Sequence, residues 1–287
     1  MHVVRSVLEL RAAIAAARAG GARVGFVPTM GALHAGHLSL IDRARAVCDC
    51  VVLSIFVNPL QFAPTDDLAT YPRTEAQDLE LAAARGATIA FVPSVVVMFP
   101  GPRAVTVVPE SIADRWEGVV RPGHFAGVLT VVAKLFNLVQ PDVAVFGQKD
   151  LQQATLISAM VRDLDFPVQL DIAPIVREPD GLAMSSRNRY LNAGNRAIAC
   201  ALSRSLAAIS QAYFDGVTNA AALRGIGESA LRAHVALSID YLDVVRAASL
   251  ESVAVASHGD YVMLAARVGT TRLLDNHRLG DPFPALP

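Results

Sequence analysis

The chain is short of cysteine, of lysine, of charge and of long apolar runs, and each shortage removes a class of protein from consideration. Its three cysteines, Cys48, Cys50 and Cys200, cannot all pair within one chain, and no second Cys/His pair stands at zinc spacing. They read as reduced packing residues, not as a disulfide frame or a structural zinc site. No stretch approaches the ~18 consecutive apolar residues of a membrane helix. The amino terminus also lacks a basic segment followed by an apolar core and cleavage site, so a cytoplasmic protein is expected. Charged residues make up only 18%, with 25 Lys+Arg against 26 Asp+Glu. That balance offers no general surface for nucleic acid or for an anionic membrane. Lys134 and Lys149 are the only lysines beside many arginines, which draws attention to both as compact point charges. Neither an internal repeat nor a low-complexity tract is present.

What the chain does have is apolar material, 53% of 287 residues, enough for one large domain or two ordinary ones. The organising stretch runs from Val24 to Leu38. An apolar run, Val24 to Val27, passes into a glycine-bearing turn, and His34 and His37 flank Gly36 before an amphipathic pattern in Leu38, Leu40, Ile41, Ala44 and Val47. This reads as strand, turn, helix. The start of such a helix presents unpaired backbone N–H groups and the positive end of its dipole, which suits a phosphate. Gly36 would let the backbone approach closely, and two imidazoles could stabilise charge on the same anion.

Residues 3 to 19 precede it as a strand and helix ending at Gly20-Gly21. Val51 to Val57 reads as a strand covered on both faces, halted at Asn58-Pro59. Residues 63 to 73, with Pro64, Asp66, Asp67 and Pro72, read as a loop that could close as a lid. Thr74 with Gln77 predicts a capping box on a helix ending near Gly86. A strand over Thr88 to Val92, a strand at Val105 to Val108 and a turn at Arg121-Pro122-Gly123 follow. A helix from His124 to Val139 stopped by Pro141, a buried strand at Val143 to Phe146, a helix carrying Leu156, Ile157, Met160 and Val161, and a strand over Val168 to Val176 complete the series.

This alternation predicts an α/β fold with a doubly wound, Rossmann-like parallel sheet, whose ligand sits beyond the carboxyl ends of the strands. Thr29 to His37, Asn58 to Gln61, Gly147 to Gln153 and Met184 to Arg187 each follow a separate apolar run and are expected on one rim. After Asn192 come an alanine-rich helix to about Phe214, a helix from about Thr218 to His234 and strands near Ile239 to Val245, Tyr261 to Val268 and Thr271 to Leu274. The expected domains are 1–176, binding ATP and the acid substrate, and 177–287, a smaller C-terminal α+β domain covering the active site.

His34-x-Gly36-His37 by itself fits several enzymes, and Met184-Ser185-Ser186-Arg187 by itself fits an ordinary turn. In this order the two resemble the first-strand HIGH motif and the late KMSKS motif of nucleotidyl-transferring enzymes of the class I aminoacyl-tRNA synthetase type. The second motif here lacks both lysines, which leaves Lys149 as the cation over the phosphates. The resemblance narrows further. Pro28 to His37, Phe56-Val57-Asn58-Pro59-x-Gln61-Phe62, Tyr71-Pro72-Arg73, His124-Phe125-x-Gly127-Val128, Phe146-Gly147-x-Lys149-Asp150, Met184 to Asn188 and Gly269 to Asn276 resemble the pantothenate synthetase (pantoate–β-alanine ligase) family along nearly the whole chain.

That resemblance implies ATP-dependent condensation of (R)-pantoate with β-alanine through a pantoyl adenylate, releasing pyrophosphate and AMP. It assigns His37, His34, Lys149, Ser185, Ser186 and Arg187 to catalysis. It assigns Met30, Gly31, Ala32, Leu33, His34, Ala35, Gly36 and His37, then Gly147, Gln148, Lys149, Asp150 and Val176, then Met184, Ser185, Ser186 and Arg187 to ATP. Gln61, Gln153 and Met30 hold pantoate, and Gln61 with Tyr71 holds β-alanine. Gln148 and Leu151 depart from the residues common there, Glu and an aromatic, with consequences for local packing. The family's acidic metal-associated positions are met only in part, by Asp78 with Gln77 and Leu81 beside it. Mg²⁺ is therefore expected to arrive with the ATP phosphates, and no protein ligand is assigned. The resemblance also implies a homodimer acting on small molecules, without nucleic acid or membrane. Two other readings share the His-x-Gly-His motif: a nucleotidyltransferase joining AMP or CMP to a phosphorylated small molecule, and a nucleotide-binding module without catalysis. A synthetase relative that binds RNA is disfavoured by the balanced charge.

Overall fold

A computed structural model describes residues 1–63 and 68–286. The described chain divides into two compact units, Met1–Gly147 with Gln152–Pro174, and Gln148–Leu151 with Ile175–Pro287.

The first unit contains β1 (His2–Val4), α1 (Val7–Ala19), β2 (Val24–Thr29), α2 (Ala35–Val47), β3 (Cys50–Ile55), α3 (Glu75–Ala84), β4 (Ile89–Phe91), α4 (Val95–Met98), α5 (Glu117–Val120), α6 (His124–Val139), β5 (Val143–Gly147), nearly all of α7 (Leu151–Asp163) and β6 (Gln169–Ala173). Its six strands are ordered β1-β4-β3-β2-β5-β6 and every pairing is parallel. Both faces are apolar because successive side chains alternate. Phe26, Val52, Ala144 and Phe146 join the core with α1, α6 and α7, whereas Val27, Val51, Leu53 and Val145 join the core with α2 and Ala82 of α3. Helices on both faces make the sheet doubly wound, as the alternating sequence implies.

The sheet's order reverses between β2 and β5, and there the ladder is cut short. β2 pairs with β5 only at Gly25–Val143 and Phe26–Ala144. Beyond that point β2 continues with β3 as far as Thr29–Ile55, and β5 continues with β6 as far as Gly147–Ala173. The two central strands thus part over their last residues at the topological switch point, where open α/β sheets bind ligands. Pro28, an unexpected residue in a central strand, lies in this part, where β2 is paired with β3 and no longer with β5.

The second unit contains α8 (Ala193–Ala199), α9 (Ala201–Phe214), α10 (Ala220–Arg232), β7 (Leu237–Val245), β8 (Tyr261–Val268) and β9 (Thr271–Arg278), the strands forming an antiparallel sheet in that order. Leu202, Leu206, Ile209, Leu223, Val244, Leu264 and Ala266 are among its core residues. Gly227 permits close packing between the helices and the sheet, because a Cβ there would stand 2.5 Å from Ile209 of α9 and 2.7 Å from Leu242 of β7.

Four local expectations are corrected. Thr74 makes no side-chain cap and forms no capping box with Gln77; its hydroxyl donates instead to Asp78 Oδ1 at 3.1 Å, a charge-assisted bond that fixes its direction. Val105 to Val108 form no strand: Val105 and Val108 are exposed, and the Val107 amide donates to Thr130 Oγ1 on α6 at 3.0 Å. The alanine-rich helix is two helices meeting at Cys200. β6 covers only Gln169–Ala173 and is half-buried at its middle, as an edge strand is. Residues 64–67 of the expected lid loop lie outside the described residues. All three cysteines are buried and free, as packing residues should be.

His277 in β9 is buried, with Nε2 against Ser210 Oγ and the Asp281 carbonyl, both at 3.1 Å. Burial lowers its pKa, with nearby Arg177 adding to the effect and the Asp281 bond opposing it. A histidine held neutral in the fold costs nothing above its unfolded pKa near ~6.5 and costs stability as pH falls below it. We expect the melting temperature to drop more steeply from about pH 7.5 to 5.5 than in His277→Asn; parallel pH profiles would contradict this origin.

Candidate active site

The parted carboxyl end of β2 is fixed first by its own side chain. Thr29 Oγ1 donates to the Ser54 carbonyl at 2.7 Å and accepts from the Gly31 amide at 3.2 Å. The chain then turns through two left-handed residues, Gly31 at φ 84° and Ala32 at φ 52°. A Cβ at Gly31 would stand 2.9 Å from Asp78 Oδ2 and 3.1 Å from Ile55, so only glycine fits. Ala32 carries the strain a side chain meets in this region. Asp78 of α3 offsets it. Its carboxylate, 1% exposed, accepts from the Ala32 amide at 2.9 Å, the Leu33 amide at 2.8 Å and the Thr74 hydroxyl at 3.1 Å.

Those bonds decide how Asp78 is used. Three of its acceptor positions are committed and the group is enclosed, so it does not fit a metal ligand. Among the described residues no group of three or more His, Cys, Asp or Glu is arranged to hold a metal ion.

From this clamp the chain enters α2, whose N-cap is His34 in extended conformation. The His34 and His37 rings stack with centroids 4.0 Å apart, and the His34 amide donates to His37 Nδ1 at 3.4 Å. With Nδ1 accepting, a neutral His37 carries its proton on Nε2 and offers it as a donor. The first turn of α2 contains no acidic residue to repel an anion. Leu38, Leu40, Ile41 and Ala44 bury its inner face, and Ala35 at the helix start is exposed.

Met30, before the turn, meets the loop after β3. Gln61 Nε2 lies 3.4 Å from Met30 Sδ, while Gln61 Oε1 accepts from Asn58 Nδ2 at 3.0 Å. Gln61 is only 8% exposed, unlike the exposed amide that its residue type would favour. Its carbonyl is held too, by His124 Nδ1 at 2.8 Å and Arg121 at 3.1 Å. Arg121 also stands 3.2 Å from His124 Nε2; since a guanidinium can only donate, His124 is the tautomer with its proton on Nδ1. Asn58 Nδ2 reaches the Gly127 carbonyl at 3.1 Å. A Cβ at Gly127 would stand 2.2 Å from the Leu60 carbonyl oxygen, so α6 must carry glycine there to seat this loop.

Gln153 in the first turn of α7 is half-buried. Its neighbour Gln152, which sequence reasoning did not single out, is 2% exposed and commits its whole amide to the chain before α6. It donates to the Ile112 and Arg115 carbonyls at 2.8 Å each and accepts from the Glu117 amide at 3.0 Å. Tyr71 is buried edge-on to Phe62, with ring centroids 5.8 Å apart.

In the second unit, Val176 and Met184 are brought together by a hairpin in which the Met184 amide donates to the Val176 carbonyl at 2.9 Å. Ser185 Oγ accepts from the Arg187 amide at 3.3 Å and opens a short 3₁₀ turn over Ser186–Tyr190. Ser185, Ser186 and Arg187 are half-buried. Gln148, Lys149 and Asp150 form another such turn, with Lys149 Nζ 3.8 Å from an Asp150 oxygen. Gly147 ends β5 in the first unit.

Both segments of the second unit are secured by consecutive residues of β9. Asp275 takes Arg177, in the hairpin, through two bonds of 2.7 and 3.0 Å, with both side chains buried. Asn276 donates to the Gln148 and Lys149 carbonyls at 3.0 Å each and accepts from Gln148 Nε2 at 3.0 Å. Gly269 to Asn276 carried no role in the sequence beyond its resemblance.

A profile of the family described as pantoate-beta-alanine ligase matches residues 2–278. The chain belongs to that family. This makes it an enzyme, and a ligase. It is 50% identical to the pantothenate synthetase of Stutzerimonas stutzeri, with 96% of this chain and 97% of that protein covered. The crystal structure of pantothenate synthetase from Thermus thermophilus superposes with a TM-score of 0.92 at 46% identity, covering 97% of this chain and 99% of the other. The pantoate-beta-alanine ligase of Francisella tularensis, solved with β-γ ATP and β-alanine, gives 0.78 at 31% identity and 97% coverage of each chain.

Asp78 is the residue on which the signature turn hangs. Asp78→Asn turns one acceptor into an NH₂ group that faces a donor, so we expect a loss of about 1–3 kcal/mol. It should appear as a lower urea midpoint at unchanged m-value; an unshifted midpoint would show that the clamp carries no stability.

Proposed function

We propose that this ligase condenses (R)-pantoate with β-alanine, using ATP and forming a pantoyl adenylate held by the enzyme. A pantoate carboxylate oxygen attacks the α-phosphorus of ATP, and the bond to the β-phosphate breaks with its electron pair leaving on pyrophosphate. The β-alanine amine then attacks the acyl carbon, the bond to AMP breaks, and the nitrogen gives up its proton. Neither step needs a covalent enzyme nucleophile. Joining anions mainly calls for positioning and neutralisation of charge.

The observation that carries this reading is the adjacency, around one turn, of the stacked His34–His37 pair and the Met30–Gln61 contact. Stacked imidazoles at the start of α2, with His37 Nε2 as donor, suit the charge that develops on the phosphates. Among the described residues the Gln61 amide nitrogen faces a thioether, a weak acceptor. It can therefore exchange that contact for an oxygen of a hydroxy acid without breaking its bond from Asn58. Met30 contributes apolar surface for the geminal methyls, Gln153 a second amide for pantoate, and Gln61 with Tyr71 the amine side. The relative crystallised with β-γ ATP and β-alanine supports the choice of these substrates.

By motif correspondence, Met30 to His37, Gly147 to Asp150, Val176 and Met184 to Arg187 serve ATP, with Lys149, Ser185, Ser186 and Arg187 joining both histidines in catalysis. Mg²⁺ accompanies the phosphates as part of the nucleotide substrate. The division of labour between residues 1–176 and 177–287, a homodimer and a cytoplasmic location complete the proposal. Among the described residues no helix is long and apolar enough to cross a membrane.

Pyrophosphate release tests the reading directly. We expect release from ATP that depends on pantoate before any β-alanine is added; release only with a phosphorylated acceptor would favour a nucleotidyltransferase, and binding of ATP without turnover a non-catalytic module. His37→Ala and Lys149→Ala are each expected to slow formation of the adenylate at least ~100-fold with the fold intact. Single-turnover formation near the wild-type rate would remove them from the phosphate-stabilising set.

A further inference from the structure

We propose that Asn276 is a positioning residue for Lys149: by holding the backbone of Gln148 and Lys149, it sets where the lysine ammonium is presented. The proposal rests on the reading that Lys149 serves ATP. Residues 148 to 150 form a single 3₁₀ turn between the end of β5 at Gly147 and the start of α7 at Leu151, with the poorer hydrogen-bond geometry of such turns. A lysine has a flexible stem, and a point charge whose root is not fixed is a poor electrostatic catalyst.

Asn276 supplies what the turn lacks. It is 3% exposed, and all of its amide is directed at two residues. One nitrogen donates to both carbonyls at 3.0 Å, and Oδ1 receives Gln148 Nε2 at 3.0 Å. Both N–H bonds are used, and the oxygen takes the one side chain that could otherwise swing away. Asparagine is specified by chemistry here. An aspartate would aim lone pairs at two carbonyl oxygens, a serine has one donor, and alanine has none.

The brace is itself anchored. The Asn276 backbone N–H donates to Asp275 Oδ1 at 2.8 Å, and Asp275 is fixed by the paired bonds from Arg177. β9 also pairs with β8 along its length, with Asn276 opposite Met263. Gln148 suits the same geometry, because an amide, unlike a carboxylate, can donate to Asn276 Oδ1.

The test is a double-mutant cycle on the full-length enzyme, reading kcat and KM for pantoate-dependent pyrophosphate release. With Lys149 present, Asn276→Ala should lower kcat about tenfold and leave the KM for pantoate within about twofold. In the Lys149→Ala background the same change should cost less than about twofold, because there is no ammonium left to position. An equal loss in both backgrounds, or no loss with Lys149 present, overturns the proposal. If Lys149→Ala alone retains full activity, the reading of Lys149 fails and the proposal falls with it, an outcome separate from additivity. Should Asn276→Ala lose cooperative unfolding, Asn276→Ser carries the same cycle with the same criteria.

Discussion

The structure of the first unit depends on one limit, the end of the β2–β5 ladder after Phe26–Ala144. Where two central parallel strands separate, each can keep the bonds to its other neighbour, and only the groups facing the gap are released to other partners. That holds here, since β3 accompanies β2 to Thr29 and β6 accompanies β5 to Gly147. A proline becomes admissible in a central strand, and the segments that follow β2 and β5 start apart. Residues 30 to 37 follow the first of these strands and residues 148 to 150 follow the second.

Around these segments a common device recurs. Asp78, Asn58 and Asn276 are all buried, and each aims its polar atoms chiefly at backbone groups. Burying such groups is costly unless every bond is made, and their several short contacts meet that requirement. Left-handed or single-turn backbone, unstable by itself, thereby becomes a fixed mounting for Met30, Gln61 and Lys149. Gly31 and Gly127 complete the arrangement by leaving room where a Cβ would collide.

The sequence revealed whatever depends on near neighbours. β2 and α2 were legible because a continuous apolar run gives way to an apolar period of 3.6 across a glycine turn, and the histidine pair lies within that window. The doubly wound sheet followed from the alternation of such windows. The Thr74–Gln77 capping box misled because Asp78 takes the threonine hydroxyl. Val105 to Val108 have strand composition, but the donor of Val107 goes to Thr130. Long-range polar contacts left no local mark: Asp78 reaches Ala32 across 46 residues, and Asn276 reaches Lys149 across 127. Gln152 and Gln153 are adjacent identical residues, and only packing distinguishes the one that secures the chain before α6 from its half-buried neighbour.

The two bonds from Asn276 end on carbonyl oxygens, a group that every residue carries. The seat is therefore blind to the identity of residue 149, and exchanging the lysine for any residue that tolerates the same backbone leaves the root of the side chain where it was. An arginine, a glutamine or an alanine installed there would begin from one common point. Position 149 is a fixed socket into which different heads can be fitted, so a substitution series there compares reach and charge at constant geometry.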